Sequence, residues 1–185
     1  MKRIFFSTIL VLSLAAVPST PAVELRDPGF EEAGADGGLS PAWHPFGNAY
    51  REKLTPRSGE YTLKLFGNFN GEMNWSGAYQ DLPVQAGLRY QAEAWVRHNC
   101  NDALQGGNTA FVKLEFFDSA GNLIKEFESP RLAADRDCDK YFHLSTGLHQ
   151  APDGAARVRV TLIFEQPGND PGAAIFDDVE LTEKH

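Results

Sequence analysis

An all-β fold of two antiparallel sheets packed as a sandwich is predicted by three features of the sequence. Apolar and polar residues alternate through most of the chain beyond Val23, and no window of a dozen residues keeps an apolar stripe at helical spacing. Clusters of Gly, Pro, Asn and Asp separate the alternating runs at short intervals. Strands are expected over residues 60–66, 78–84, 88–97, 110–118, 123–128, 141–148, 156–165 and 173–181. The first begins after Ser58-Gly59, and Gln85-Ala86-Gly87 turns the second into the third. Ser119-Ala120-Gly121-Asn122 joins 110–118 to 123–128 as a hairpin, and Pro152-Asp153-Gly154 turns the chain ahead of 156–165. A Gly/Pro-rich loop from Pro167 to Gly172 precedes the last strand. Eight short strands on one domain-sized chain need two sheets to bury their apolar faces.

Composition narrows the function classes. The 185 residues carry 17 Lys and Arg against 25 Asp and Glu, a formal charge of −8, with no basic cluster of the kind that binds a phosphate backbone. Nucleic acid is therefore excluded as a partner. With 42% apolar residues, 17 Gly and 11 Pro, the chain is neither collagen-like nor disordered. Two cysteines do not make a four-Cys zinc site or a disulfide-rich scaffold, and in an oxidising compartment Cys100 and Cys138 are expected to form one bridge. A reactive thiol is the alternative, with His98 and His143 nearby in sequence, but no accompanying signature supports it.

The N-terminus reads as a signal peptide over residues 1–22. Lys2 and Arg3 precede an apolar run from Ile4 to Val17, and Thr20 and Ala22 suit cleavage before Val23. That run is shorter than the roughly 20 residues that span a bilayer. The expectation is a secreted or periplasmic protein with no membrane insertion, folded as one module over residues 23–185. Its 15 remaining basic residues against 25 acidic ones argue against an anionic membrane surface.

Alternation assigns faces. Tyr90, Ala92, Ala94 and Val96 are expected inside, as are Val112, Leu114 and Phe116, and Val158, Val160, Leu162 and Phe164. The opposite positions place Gln91, Glu93, Trp95, Arg97, Phe111, Lys113, Glu115, Phe117, Arg159 and Glu165 on outer faces. Flat rings mixed with amides, carboxylates and guanidinium groups suit a sugar, which offers C–H patches for stacking and hydroxyls for hydrogen bonds. A half-solvated sheet with its rings covered by a loop gives the same pattern.

The sequence also resembles a known family. Leu25-Arg26-Asp27-Pro28-Gly29-Phe30-Glu31 is similar to the N-terminal element of the jelly-roll carbohydrate-binding modules of the family 4, 9 and 22 group, within the galactose-binding-like superfamily. Trp43, the run from Ser58 to Leu65, Tyr79-Gln80-Asp81, Gly87-Leu88-Arg89-Tyr90, Trp95-Val96-Arg97 and the run from Ala174 to Leu181 follow in the family's order. The resemblance implies a jelly-roll sandwich with a glycan in a cleft across one sheet. It implies Trp75 as the leading ligand contact, just before the strand bearing Tyr79, and the outward positions Gln91, Glu93, Trp95, Arg97, Lys113, Glu115, Arg159 and Glu165 read from alternation complete the expected cleft, while Trp43, ahead of the Pro45-Phe46-Gly47 turn, is expected to pack inside. It further implies a structural Ca²⁺ held by Gly29 and Tyr61 through carbonyls and by Glu31 and Asp177 through carboxylates, with Ser58 where the family often carries an acid. Without a metal, Glu31 and Asp177 would be solvated or paired with an Arg.

Three functions fit such a sandwich. The leading expectation is a non-catalytic carbohydrate-binding module recognising a polysaccharide or oligosaccharide. A surface or periplasmic module contacting another secreted protein is the first alternative, and a glycan-active enzyme the second. Glu93, Glu115 and Glu165 are the carboxylates an enzyme would use, but no GxSxG, HExxH or GxxxxGK[ST] motif is present, and the alternating acidic motif of jelly-roll glucanases is missing.

Overall fold

The structure, a computed structural model, describes residues 23–185, and the signal peptide expected over residues 1–22 lies outside the described residues. In chain order its strands are β1 (His44–Phe46), β2 (Asn48–Glu52), β3 (Thr62–Phe66), β4 (Asn74–Pro83), β5 (Arg89–Arg97) and β6 (Thr109–Phe117). They continue with β7 (Leu123–Glu128), β8 (Leu132–Ala133), β9 (Phe142–Ser145), β10 (His149–Gln150), β11 (Arg157–Gln166) and β12 (Ala173–Lys184). One sheet runs β1-β4-β11-β6-β7 with β8 also on β6, and the other runs β10-β5-β12-β3-β2 with β9 also on β5. Every pairing is antiparallel. The fold is the expected all-β, two-sheet sandwich.

The core is the sum of the inward positions. Tyr90, Ala92, Ala94 and Val96 of β5 face Val112, Leu114 and Phe116 of β6 and Val158, Val160, Leu162 and Phe164 of β11, all fully buried. Leu63 and Leu65 of β3 and Ala174 and Phe176 of β12 complete the second sheet's contribution. Alternation predicts these residues because a strand turns successive side chains to opposite faces. The Tyr90 hydroxyl is satisfied at the edge of this core, donating to Glu183 at 2.7 Å and accepting from the Gln85 N–H at 3.1 Å.

Four short strands escape the sequence pattern, β1, β2, β8 and β10. Gly47 explains the first two: with φ of +61° it turns the chain from β1 in one sheet to β2 in the other. A Cβ there would lie 2.7 Å from the Trp75 carbonyl oxygen, so only glycine passes. The strand expected over 141–148 is the shorter β9, and β10 follows beyond the expected end. Between them the Thr146 N–H donates to the Ala92 carbonyl at 3.0 Å, while its hydroxyl, in place of a backbone carbonyl, accepts from the Ala92 N–H at 3.0 Å. The strand expected from residue 78 begins instead at Asn74 and includes Trp75. Its buried polar residues look loop-like in sequence, yet Ser76 donates to the Phe66 carbonyl at 2.6 Å and Gln80 pairs with both backbone groups of Arg26.

Trp43 is core, as expected: it packs on Phe30 with ring centroids 5.3 Å apart and donates its indole N–H to the Asp27 carbonyl at 2.9 Å. Cys100 and Cys138 form a disulfide across 38 residues of sequence. Removing the bridge with the double variant Cys100→Ser/Cys138→Ser is expected to lower the unfolding free energy by about 4 kcal/mol on chain-entropy grounds. The check is the urea midpoint; a variant unfolding at the wild-type midpoint would contradict it.

Candidate functional site: the outer face of the first sheet

The side chains that alternate outward from β4, β11 and β6 form one surface. Register sets their neighbours: Trp75 lies opposite Glu165, Tyr79 opposite Thr161, and Asp81 opposite Arg159. On the other side of β11, Ile163 lies opposite Phe111, Thr161 opposite Lys113, and Arg159 opposite Glu115. Gly77, between Trp75 and Tyr79 on this face, has no side chain, and the Phe46 ring of β1 lies in that space: a Cβ on Gly77 would approach Phe46 Cζ within 2.4 Å.

At the Trp75 end this surface hollows into a cleft of about 380 Å³ lined by Phe46, Trp75, Phe111, Lys113, Glu128, Ile163 and Glu165. Phe111 and Ile163 are buried in its floor, whereas Trp75 is 50% exposed at its wall. The rim is a chain of polar contacts. The Trp75 indole N–H donates to Glu165 Oε2 at 3.2 Å, and Arg131 donates to Glu165 Oε1 at 3.0 Å and to Glu128 Oε2 at 3.0 Å. Arg131 also lies 3.8 Å over the Phe111 ring. Lys113 contacts Glu126 at 3.2 Å and Glu128 at 3.7 Å. Glu165 therefore fixes the edge of the indole while leaving its face open.

The other end of the same surface is closed by arginine. Arg159 makes two hydrogen bonds to Asp81, at 2.7 and 2.9 Å, and stacks 3.7 Å from the Tyr79 ring centroid. Thr161 donates to Glu115 at 2.6 Å. Burial pushes the Asp81 carboxyl upward, but hydrogen bonds and charge from Arg159, with Arg157 adding to them, outweigh it and hold the group below the ordinary aspartate range.

Of the ten residues expected in one cleft, the structure brings together six on this face: Trp75, Tyr79, Lys113, Glu115, Arg159 and Glu165. Gln91, Glu93, Trp95 and Arg97 belong to β5, in the second sheet, and face the opposite side of the sandwich. Parity gives the side of each strand correctly; it does not say which sheet the strand joins. Trp95 is moreover covered, with the Arg57 guanidinium 4.0 Å from one of its rings and His143 at 4.9 Å between centroids. Glu93 lies 3.5 Å from His143, and Arg97 donates to Asp139 at 2.8 Å. Phe46, Glu128, Arg131 and Ile163 were not singled out from sequence. Phe46 sits in a stretch without alternation, and Arg131 reaches the site only because β8 returns alongside β6.

Among the described residues, Glu93, Glu115 and Glu165 do not come together as a carboxylate pair. Glu93 is on the other sheet, and Glu115 and Glu165 are six positions apart along paired strands, about 20 Å and beyond the spacing of about 5 to 9.5 Å used in glycoside hydrolysis. Glu128 and Glu165 do approach one another, but they share the guanidinium of Arg131. His98 is buried, accepting from the Leu104 N–H at 3.0 Å and bonding the Arg136 carbonyl at 3.1 Å.

The five positions implied as calcium ligands do cluster, between the N-terminal element, the turn before β3 and the middle of β12. A Cβ on Gly29 would stand 3.8 Å from Asp177 Oδ1 and 4.0 Å from Asp178 Oδ1. Glu31 Oε1 accepts from the N–H groups of Glu60 and Tyr61 at 2.9 and 3.1 Å. Ser58 donates its hydroxyl to Asp178 at 2.6 Å, and Arg57 pairs with the same carboxylate. Asp177 is fully buried and accepts from the backbone N–H groups of Arg57, Ser58 and Asp178. Burial raises its pKa, against the lowering effect of those N–H groups. Among the described residues no three acidic, His or Cys side chains converge, so a cation here would draw on carbonyl oxygens as well. Oxygen donors around a buried carboxylate fit a hard cation such as Ca²⁺.

Because the folded Asp81 pKa lies below its unfolded value, its pairing stabilises the fold above the ordinary aspartate range and ceases to do so as pH falls through the lowered folded value. Asp81→Asn is therefore expected to be less stable than wild type at neutral pH, with the gap closing as acid protonates Asp81. Thermal melts across pH check this, and a gap independent of pH would contradict it.

No protein-family model matches the sequence, and no curated protein matches it. Solved structures do. A CBM22-1 xylan-binding domain from Paenibacillus barcinonensis Xyn10C superposes with a TM-score of 0.58 at 14% identity, covering 90% of this chain and 98% of that one. TmCBM61, solved with β-1,4-galactotriose, gives 0.55 at 20% identity over 86% of this chain and 97% of its own. The enzymatically active domain of tailspike protein 4 from bacteriophage CBA120 gives 0.54 at 12% identity over 77% of this chain, which spans only 19% of that longer one. At these identities the likeness is one of fold: the chain has the architecture of the jelly-roll carbohydrate-binding modules.

Proposed function

We propose that the protein is a secreted, non-catalytic carbohydrate-binding module that takes a polysaccharide or oligosaccharide into the cleft beside Trp75. The observation that carries this is the state of Trp75 itself, half exposed yet held at its indole N–H by Glu165 beside a floor of Phe46, Phe111 and Ile163. A fixed, open ring over an apolar floor with a polar rim suits stacking on a pyranose and hydrogen bonding to its hydroxyls. The rim holds Glu126, Glu128 and Glu165 against Lys113 and Arg131, which favours a neutral glycan over an acidic one. Two of the structures with this fold bind xylan or β-1,4-galactotriose, which supports the ligand class. The disulfide is compatible with an extracellular site of action.

The expected test result is binding to a neutral polysaccharide on a glycan array. Trp75→Ala should weaken it by about tenfold or more, or about 1.4 kcal/mol, for the loss of one stacking ring. The melting temperature should change little because half of the side chain is already in water. A folded Trp75→Ala protein that binds every glycan as tightly as wild type would refute the cleft.

Calcium belongs to the same proposal as a structural ion. Gly29 and Tyr61 through carbonyls, Glu31 and Asp177 through carboxylates, and Ser58 would hold it and so tie the N-terminal element and the turn before β3 to β12. The ion supplies charge neutralisation for Asp177. Chelation is expected to lower the melting temperature and added Ca²⁺ to restore it, while Asp177→Asn abolishes the response. Identical melts with calcium and with chelator would remove the ion from the account.

A further inference from the structure

A second group of rings lies outside the cleft. On the outer face of the second sheet, at the edge formed by β2 and β3, Asn48 pairs with Phe66 and Tyr50 with Lys64. The Tyr50 and Phe66 rings are 5.6 Å apart and within 9° of parallel, and Phe66 and Phe69 are 6.4 Å apart at 23°. Tyr50 and Phe69 are 49% and 47% exposed. None of the three rings belongs to the core.

Phe69 is held at the surface by construction. Its φ is +54°, a left-handed conformation that a bulky side chain adopts only when its surroundings impose it. Those surroundings are a buried amide network. Gln166, fully buried at the end of β11, accepts from the Phe69 N–H at 2.9 Å and from Asn74 Nδ2 at 3.1 Å, and donates to the Asp170 carbonyl at 2.9 Å. Asn74 in turn accepts from the Asn68 N–H at 3.0 Å. Gly67 leaves the space that Gln166 fills, since a Cβ there would overlap its Oε1 at 2.0 Å. Two strands of the first sheet thus fix a loop whose outermost ring contributes nothing to the core.

The row is also continuous with the cleft. The loop presenting Phe69 enters β4 one residue before Trp75, and Gly47 makes the same crossing between Phe46, in the cleft, and Asn48, beside Phe66. Hydrogen-bonding groups flank the rings: Asn48 donates to Asn68 Oδ1 at 2.9 Å, and Lys64 lies 5.7 Å over Phe66. Near-parallel rings with amides beside them repeat the chemistry of the cleft. We infer that Tyr50, Phe66 and Phe69 form a second stacking site for a neutral glycan, around the edge of the sandwich from Trp75. The inference rests on the carbohydrate-binding reading and deepens it: a polysaccharide engages both sites, and a short oligosaccharide fills only the cleft.

The test compares wild type, Trp75→Ala, Tyr50→Ala/Phe69→Ala and the triple variant by calorimetric titration. The probes are soluble xylan and β-1,4-galactan, with xylohexaose and β-1,4-galactotriose as short ligands. Melts confirm folding, and Phe69→Leu serves as a second variant that keeps an apolar side chain without the ring. The double variant is expected to lose about tenfold or more in polysaccharide affinity through lost two-point attachment, with its affinity for the short ligand unchanged. Wild-type polysaccharide affinity in the double variant, alongside lost binding in Trp75→Ala, would overturn the second site and leave the cleft standing. The reverse pattern would support the second site and refute the cleft. Failure of wild type to bind any of the four probes would overturn both.

Discussion

The two-residue period of β11 is the constraint on which the rest of the structure depends. Paired along its length with β4 on one side and β6 on the other, it has no freedom of register. Its inward residues, Val158, Val160, Leu162 and Phe164, are buried in the core. Its outward residues, Arg159, Thr161, Ile163 and Glu165, form the axis of the first sheet's outer face, and its last residue, Gln166, anchors the loop that carries Phe69. A one-residue slip would exchange core for surface along all ten positions. Stability and site are therefore set by the same register.

Glu165 gives that axis its chemical meaning. It stands between the indole of Trp75 and the guanidinium of Arg131, and Arg131 continues to Glu128 and to the face of Phe111. An exposed tryptophan free to rotate would lose side-chain entropy on binding; one already held by its N–H loses less. The opposite end of the face shows the contrary design. Tyr79 is covered by Arg159, which Asp81 holds with two hydrogen bonds, so the ring is spent within the protein. One end of the sheet is open to a ligand and the other is closed by charge pairing.

Much of the fold was legible in the sequence, because a period of two survives any tertiary context that buries one face of a strand. β7 appears over its full expected range and the inward sets of β5, β6 and β11 are buried as alternation requires. What escaped is what local pattern does not encode. Whether β5 neighbours β11 or β12 is decided by contacts distant in sequence, so alternation alone groups Gln91, Glu93, Trp95 and Arg97 with residues on the far side of the molecule. β4 starts before its expected residue 78 because its inward positions there are Asn74 and Ser76, polar side chains buried to bond the backbone of Asn48, Phe66 and Asn68. The resemblance to carbohydrate-binding modules pointed to Trp75, and the structure gave the physical reason to favour it: among the chain's three tryptophans it alone is exposed.

Those three indoles permit the most direct test of where the ligand sits. Each gives its own indole N–H signal in a nitrogen-proton correlation spectrum, with Trp43 reporting on the core, Trp75 on the first sheet and Trp95 on the second. Titration with xylohexaose and with β-1,4-galactotriose is predicted to shift the Trp75 signal and leave Trp43 and Trp95 in place. Movement of Trp95 with Trp75 unchanged, or no movement of any indole in the presence of either sugar, would contradict the assignment of the first sheet's outer face as the binding site.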